Sequence, residues 1–439
     1  MRDEQGGPAT GPLDFNALRL ADDDLGVAAL DRRLSAKGSL MKVALYHHSR
    51  NDADAGASRV YHLLAAGLQE RGHDVRVRHL EDLRPPRNPR RRLAVERLAM
   101  PQLLSWRAWY DRQPDDDIVM SSSGMAYPLF RRMRASPGPR PTLVNHLHGV
   151  AAYDYSTTTA ESLLGHRPTS LAYRTVTGPF TSRWDRRGVL AADLTVVQNR
   201  RDLGHVRSFA TNPAAVELVY PSVHPEILRA GYEPLGQARE AGSILWFGTW
   251  DARKGAAYVP AAFRQLRSVH PGARLYIGGT GLSPEAVKGF FPPEDRPSVH
   301  HVARISRRDH IDLMRRLSIV LFPSLSEGFG LALPEAMAMG LAAVTTNTGF
   351  GGDHLVDGIN ARIVPASSVH LAEALTALLD DDGLTARIAG NGQAVARSFT
   401  VDRMVDDYER IFIDSRRRAA EPRLLYGANS RDHRTDTAS

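Results

Sequence analysis

Ser324-Leu325-Ser326-Glu327-Gly328-Phe329-Gly330-Leu331-Ala332-Leu333-Pro334-Glu335 follows a short apolar run, Ile319-Val320-Leu321-Phe322, and precedes Ala336-Met337-Ala338-Met339. The apolar run is of the kind that forms a strand buried on both faces of a parallel sheet. The residues after it are good helix formers, and Gly340 stands where a helix would stop. The stretch therefore reads strand, glycine-bearing loop, helix. Pro334 has no N–H to give, so it belongs in the first helical turn, which places the helix start near Leu331. The free amides of that turn would open onto the carboxyl edge of the sheet, where α/β proteins bind anions. Two carboxylates frame this cradle, Glu327 on the loop and Glu335 a turn into the helix.

The rest of the chain bounds what such a site can serve. With 439 residues the chain is too long for one ordinary core, so two domains are expected. A hydrophobic content of 42% and a charged content of 24% are those of a soluble globular protein. There is no cysteine, which excludes disulfides and thiolate metal sites and fits a reducing, cytoplasmic setting. Neither a bilayer-spanning apolar run nor a signal-peptide pattern is found. The formal charge of +7 is modest for this length and matters only where it clusters. It clusters once, in Arg84, Arg87, Arg90, Arg91, Arg92 and Arg97, with Trp106, Trp109 and Tyr110 close behind. That patch reads either as a solvated loop and helix face or as a surface for anionic lipid or a lipid-diphosphate substrate. No binding motif accompanies it that would point to nucleic acid.

Residues 1–40 are rich in Gly, Asp and Arg and are expected to be a disordered leader, with Met41 an alternative start. Lys42-Val43-Ala44-Leu45-Tyr46-His47 is the first strand. A loop over 48–57 follows, then a helix with one apolar face at Val60, Leu63, Leu64, Gly67 and Leu68. Gly72 is placed to cap it, and Val75-Arg76-Val77 opens the next strand. This strand–helix–strand unit lacks a G-x-G-x-x-G fingerprint, so a nicotinamide or flavin dinucleotide is not indicated. Further strands are expected at 118–120, 142–144, 194–197 and 216–219. Asn145-His146-Leu147-His148-Gly149 ends one of them at the carboxyl edge, which makes His148 a site candidate. Residues 221–240, with Pro221, Pro225, Pro234 and Gly236, have linker composition. A second α/β series then begins at Ser243-Ile244-Leu245-Trp246-Phe247-Gly248 and continues through strands near 274–277, 300–302, 319–322, 342–345 and 362–364. The segment 401–413 is amphipathic, and the polar residues after 416 are expected to be disordered.

Two such domains would set two carboxyl edges face to face across a cleft. Gly248-Thr249-Trp250-Asp251-Ala252-Arg253-Lys254-Gly255 follows the first strand of the second series and is expected to open a helix. Arg253 and Lys254 would project beside its glycine-flanked backbone and, with the amides of Gly328, Phe329, Gly330 and Leu331, form a two-pronged diphosphate clamp. Two carboxylates eight residues apart also invite a glycosidase reading. That reading is disfavoured, because acids beside an anion cradle are better suited to accept hydrogen bonds from hydroxyls.

Glu327 and Glu335, with Gly328-Phe329-Gly330 between them and Pro323-Ser324 before, resemble the E-x7-E signature of the family 4 retaining glycosyltransferases, which have the GT-B fold. The resemblance runs over roughly 41–412 and takes in Gly72-His73-Asp74-Val75, His148-Gly149, Lys254-Gly255, Gly340 and Asp357-Gly358-Ile359-Asn360. It implies an α/β protein of two Rossmann-like doubly wound domains. Residues 41–225 would form the acceptor domain and 226–400 the nucleotide-sugar donor domain, with a helix at about 401–416 crossing back and a disordered tail at 417–439. It further implies transfer of a sugar from a nucleotide-diphosphate-sugar to a hydroxyl acceptor with retention, in polysaccharide, glycolipid or glycoconjugate synthesis. No metal and no other cofactor would be required. By the same resemblance Glu327 would hold hydroxyls of the donor sugar, Gly328 to Leu331 the sugar and distal phosphate, and Glu335 the ribose. Arg253 and Lys254 would neutralise the leaving diphosphate, His148 would touch the donor sugar, and Gly248 and Thr249 would line the donor site. Gly56 would let the backbone approach the donor phosphate or the acceptor. The family usually has an arginine where this chain has Thr249, and Arg253 is expected to share that role. The acceptor is expected to be a carbohydrate or lipid-linked, met at the cytoplasmic face of an anionic membrane. The rivals are a GT-B nucleotide-sugar epimerase and a catalytically silent nucleotide-sugar-binding relative.

Overall fold

The computed structural model describes residues 40–47, 51–52, 56–79, 100–137, 140–166, 168–302 and 306–428. Residues 1–39 of the expected leader, all six arginines from Arg84 to Arg97, and 429–439 lie outside the described residues.

From Lys42 onward the chain forms one unit holding two parallel six-stranded sheets. The first is built from β1 (Lys42–Tyr46), α1 (Gly56–Glu70), β2 (Asp74–Arg78), α2 (Met100–Asp111) and β3 (Ile118–Ser122). It continues through α3 (Ala126–Ala135), β4 (Thr142–His146), α4 (Ala151–Leu163), α5 (Gly178–Ala191), β5 (Leu194–Val197), α6 (Arg200–Arg207) and β6 (Val216–Leu218). After α7 (Pro225–Tyr232), the second half runs β7 (Ser243–Phe247), α8 (Val259–Val269), β8 (Arg274–Gly278), α9 (Pro284–Gly289) and β9 (Val299–Val302). Then come α10 (Arg307–Arg316), β10 (Ile319–Phe322), α11 (Ala332–Ala338), β11 (Ala342–Thr345) and α12 (Phe350–His354). The chain closes with β12 (Arg362–Ile363), α13 (Ser368–Asp380), α14 (Asp382–Arg397) and α15 (Val401–Ala428).

Strand order is 2-1-3-4-5-6 in the first sheet and 12-11-10-7-8-9 in the second. The order reverses between β1 and β3 and between β7 and β10, and a crevice opens outside the carboxyl ends at such a switch point. β7 and β10 are nearly all buried Ile, Leu, Val, Trp and Phe, as strands covered by helices on both faces must be. One face packs Ile244, Trp246, Ile319 and Leu321 against α8 and α13, the other Leu245, Val320 and Phe322 against α11.

α15 returns to the first half. Val405 lies against Gly67 of α1 so closely that a β-carbon on the glycine would fall 2.4 Å from it. Arg71 bonds Glu409 at 2.6 Å and Asp406 at 2.7 Å, His73 stands 3.1 Å from Glu409, and Arg416 pairs with Asp117 at 2.6 Å. The crossing helix expected at 401–416 is therefore present and runs on to Ala428, into the segment expected to be disordered. The expected linker is also structured. Pro225 at the first helical turn, with the His224 ring accepting from the Glu226 amide, starts α7, whose Ile227 and Leu228 are buried against α11.

Candidate functional site

β10 ends at Phe322, and the loop from Pro323 to Leu331 carries the chain to α11. Four hydrogen bonds fix its shape. Thr346 and Thr348 hydroxyls donate to the Ser324 carbonyl, the Phe350 amide donates to the Phe329 carbonyl at 2.8 Å, and Ser324 Oγ donates to Glu327 Oε1 at 2.7 Å. The Phe329 ring is core, packed on Phe350 and Phe399. Among the expected site residues it therefore serves the loop through its backbone alone. Leu331 caps α11 and its carbonyl takes the Glu335 amide at 3.1 Å, as Pro334 in the first turn implied.

The second prong leaves β7 at Gly248. Instead of opening a helix directly, the segment makes 3-10 turns at Ala252–Lys254 and Ala256–Tyr258, and α8 begins only at Val259. Asp251 caps the first turn through the Lys254 amide at 3.0 Å, and Thr249 is exposed on the approach. The two prongs are joined: Leu325 N donates to Arg253 O at 2.7 Å. Gly255 has φ +66°, and a β-carbon there would stand 2.1 Å from Pro323 O, so only glycine lets these loops meet. The Lys254 stem passes beside Gly248.

Both clamp cations converge on Glu327. Lys254 Nζ bonds Oε1, and Arg253 stands 3.7 Å from Oε2 while also donating to Ser326 O at 3.3 Å. The Glu327 side chain is only 5% exposed. Burial works against its charge, but Lys254, then Arg253, and the bonds from Lys254 and Ser324 outweigh burial and hold its pKa below the ordinary carboxylate value. Arg253 is in the converse position. Burial opposes its charge, while Glu327 and Asp154 favour it, and its pKa is raised.

The first half supplies a facing set that the sequence did not single out. Asp154, in the first turn of α4, accepts from Ser326 Oγ at 2.7 Å and stands 3.8 Å from Arg253. Burial raises its pKa, with Glu327 adding to the shift. Asn199 Nδ2 donates to Gly328 O at 2.6 Å and to Glu327 O at 3.2 Å, while its Oδ1 caps α6 through Asp202 N at 2.7 Å. Arg59 on α1 pairs with Glu335, whose side chain is 4% exposed. Tyr258 Oη donates to Glu161 of α4 at 2.8 Å, and Asp353 accepts from Arg200 N at 2.8 Å and from Tyr220 Oη at 3.1 Å. Of these, only Asn199 had a local signal, the N-cap pattern Asn199-Arg200-Arg201-Asp202 after β5.

His148 is brought to the same place, but its ring is turned into the first half. Nε2 lies 3.2 Å from His47 Nε2, and Nδ1 lies 3.5 Å from Gln198 Nε2. What it presents to the second half is backbone. A β-carbon on Gly328 would fall 1.9 Å from His148 O, so a side chain there would part the two halves. Gly56 opens α1 instead of lying on the preceding loop, with Leu331 Cδ1 3.9 Å from where its β-carbon would be. Glu327, Lys254, Arg253, Gly328 and Leu331 therefore lie where the two halves meet, while the rings of Phe329 and His148 face elsewhere and Thr249 is exposed.

Two parallel sheets, a returning helix and a cleft between their carboxyl edges define a GT-B protein. Residues 241–381, within the second half, match the family model "Glycosyl transferases group 1". It is 29% identical to a glycogen synthase of Mycobacterium tuberculosis over 192 residues, 41% of this chain and 45% of the relative. It is 32% identical to a D-inositol 3-phosphate glycosyltransferase of Xylanimonas cellulosilytica over 178 residues, 39% of this chain and 42% of that one. The matched segments thus span less than half the length of these curated relatives. Sucrose-phosphate synthase from Thermosynechococcus elongatus superposes with a TM-score of 0.64 at 17% identity, over 88% of this chain and 100% of that one, which is a likeness of fold.

Proposed function

We propose that the protein transfers a sugar from a nucleotide-diphosphate-sugar to a hydroxyl acceptor with retention of anomeric configuration. The observation that carries this reading is the buried Glu327, held ionised between Lys254 and Arg253 at the switch point of the second sheet, with a second buried acid, Glu335, in the first turn of the helix that follows. Ionised carboxylates accept hydrogen bonds and donate none, so both are matched to sugar and ribose hydroxyls. The cations beside them are matched to a diphosphate leaving group, on which charge grows as the glycosidic bond breaks. The leaving phosphate oxygen can itself take the acceptor proton, so no protein nucleophile is needed, and His148 need not supply a ring nitrogen. Arg253 and Lys254 supply the neutralisation that a divalent cation would otherwise give, so turnover is expected to persist in chelator. The kinship over residues 241–381 supports the reading.

NMR of the first-formed product, from the donor sugar that the protein turns over, tests it. Retention supports the reading, and an inverted product or a metal requirement contradicts it. An epimerase would instead change the donor with no acceptor present.

The acceptor is read as a carbohydrate or lipid-linked carbohydrate at an anionic membrane surface. Support comes from α2, where Trp106 is 46% and Tyr110 75% exposed, stacked on each other, with Arg132 over Trp106 at 4.0 Å and Arg112 over Trp109 at 3.3 Å. Co-sedimentation with phosphatidylglycerol vesicles that survives Trp106→Ser together with Tyr110→Ser would remove that support. Among the described residues no helix is long and apolar enough to cross a membrane.

A further inference from the structure

Asp154 differs from the other two acids where the halves meet. The side chains of Glu327 and Glu335 are 5% and 4% exposed, whereas that of Asp154 is 41% exposed. It is nevertheless set deep enough for burial to raise its pKa against the pull of Arg253. A carboxylate walled in on most sides and open on one is a carboxylate that lines a cleft. The opening lies beside the clamp, because Oδ1, which takes the Ser326 hydroxyl at 2.7 Å, is 3.8 Å from Arg253 Nε. An ionised carboxylate offers about four lone-pair sites, so it has capacity for further donors beyond Ser326.

The fold holds this carboxylate in place. Asp154 stands in the first turn of α4. The start of that helix is fixed by the buried Asp185, which takes the Ala151 amide at 3.0 Å. Its last turn is tied to the second half through Glu161 and the Tyr258 hydroxyl at 2.8 Å, and just before it His148 O lies against Gly328. Asp154 is thus a fixed group of the first half that faces the clamp of the second.

Transfer with retention and no protein nucleophile puts the acceptor oxygen on the same side of the sugar as the leaving phosphate. The bond from the anomeric carbon to the phosphate oxygen breaks, the bond to the acceptor oxygen forms, and the acceptor proton passes to the phosphate. The reacting hydroxyl therefore has no proton to give Asp154, but a hydroxyl on the adjacent carbon has. Adjacent hydroxyl oxygens of a sugar or cyclitol are about one hydrogen-bond length apart. Holding one on Asp154 brings the other beside a phosphate held by Arg253.

Resting on the nucleotide-sugar reading above, we infer that Asp154 is an acceptor-contacting residue: it accepts a hydrogen bond from the hydroxyl next to the one that is glycosylated, so the acceptor is a polyol with adjacent hydroxyls, a carbohydrate or cyclitol. An alcohol with a single hydroxyl gives the carboxylate no donor, and an acceptor with a phosphate on the adjacent carbon meets like charge.

Acceptor kinetics test this. Wild type, Asp154→Asn and Asp154→Ala are given UDP-glucose, UDP-N-acetylglucosamine, GDP-mannose or ADP-glucose. The acceptors are methyl α-glucoside, methyl α-mannoside, methyl α-galactoside, myo-inositol and 1-octanol, and thermal melting checks folding. NMR of the product identifies the glycosylated hydroxyl, and acceptors deoxygenated at either adjacent carbon are then compared. In wild type, removing one of these neighbours is expected to lower kcat/KM by roughly ten- to a hundredfold. In Asp154→Ala the same deoxygenation is expected to cost about threefold or less, because its partner is already gone, with Asp154→Asn in between. An equal cost in wild type and a folded variant overturns the inference. So does octanol serving as well as the polyols, or donor hydrolysis by water with no polyol glycosylated, and each of these leaves the donor reading standing. If Asp154→Ala does not fold, Asp154→Asn decides by the same ratio. Wild type that consumes none of the four donors overturns the donor reading itself, and the inference with it.

Discussion

At the scale of single residues, Lys254 carries the most chemistry. Its ammonium bonds Glu327 and, under the proposed function, is a compact cation for charge developing on a leaving diphosphate. Losing one such preorganised electrostatic donor typically raises a barrier by about 3–4 kcal/mol. Lys254→Ala is therefore expected to lower turnover by about two to three orders of magnitude, read as kcat in a nucleotide-release assay. Near-normal kcat would remove Lys254 from the clamp. Glu327, Lys254, Arg253 and Glu335 were legible in the sequence because each lies at a fixed distance from a strand end. Arg59 and Asp154 were not, because their partners are far along the chain. Arg59 meets Glu335 across 276 residues, and no local pattern encodes such a pairing. The orientation of the His148 ring was also hidden, since His47 and Gln198, which hold it, come from two other strand ends.

Among the elements, α15 is held by the buried side chains of Met404, Val405, Tyr408, Ile411 and Phe412 and, at its rim, by a few charged contacts. Glu409 receives the His73 ring and Arg71, and these hold its pKa at about 2 although burial works the other way. A carboxylate whose folded pKa lies below its unfolded value, 4.5, contributes stability that is fully present above that value. The contribution is lost as the pH falls from about 4.5 through about 2. Glu409→Gln is expected to destabilise the protein by about 1–3 kcal/mol at neutral pH in chemical denaturation, and by progressively less as the pH falls through that window. A variant difference that does not change with pH would mean that the charge on Glu409 contributes nothing to holding α15. The strands and their order along the chain were readable from apolar runs punctuated by glycine. Two helices were misjudged for opposite reasons. The prolines and Gly236 around α7 outweighed its Pro225 start signal, and the polar composition past residue 416 outweighed the continuing helix. The π-helical turn Tyr173–Thr177 between α4 and α5 has no sequence mark.

For the whole molecule, the cleft follows from topology. Each sheet reverses strand order once, and the reversal in the second lies between β7 and β10, the two strands from which the clamp loops emerge. That the chain would make two such sheets was implied by its alternation of strand and helix. That His148 O, Gly328 and Asn199 would bring the two carboxyl edges into backbone contact was not, because it depends on glycines whose missing side chains leave no periodic trace. Under the proposed function, this cleft binds a nucleotide-diphosphate-sugar with Glu335 on the ribose. Isothermal titration with UDP-, GDP- and ADP-sugars, on wild type and on Glu335→Ala, tests it most directly. Saturable binding of one base class to wild type is expected, weakened at least about tenfold in a folded Glu335→Ala variant. No binding to wild type, or equal binding to both proteins, would contradict it.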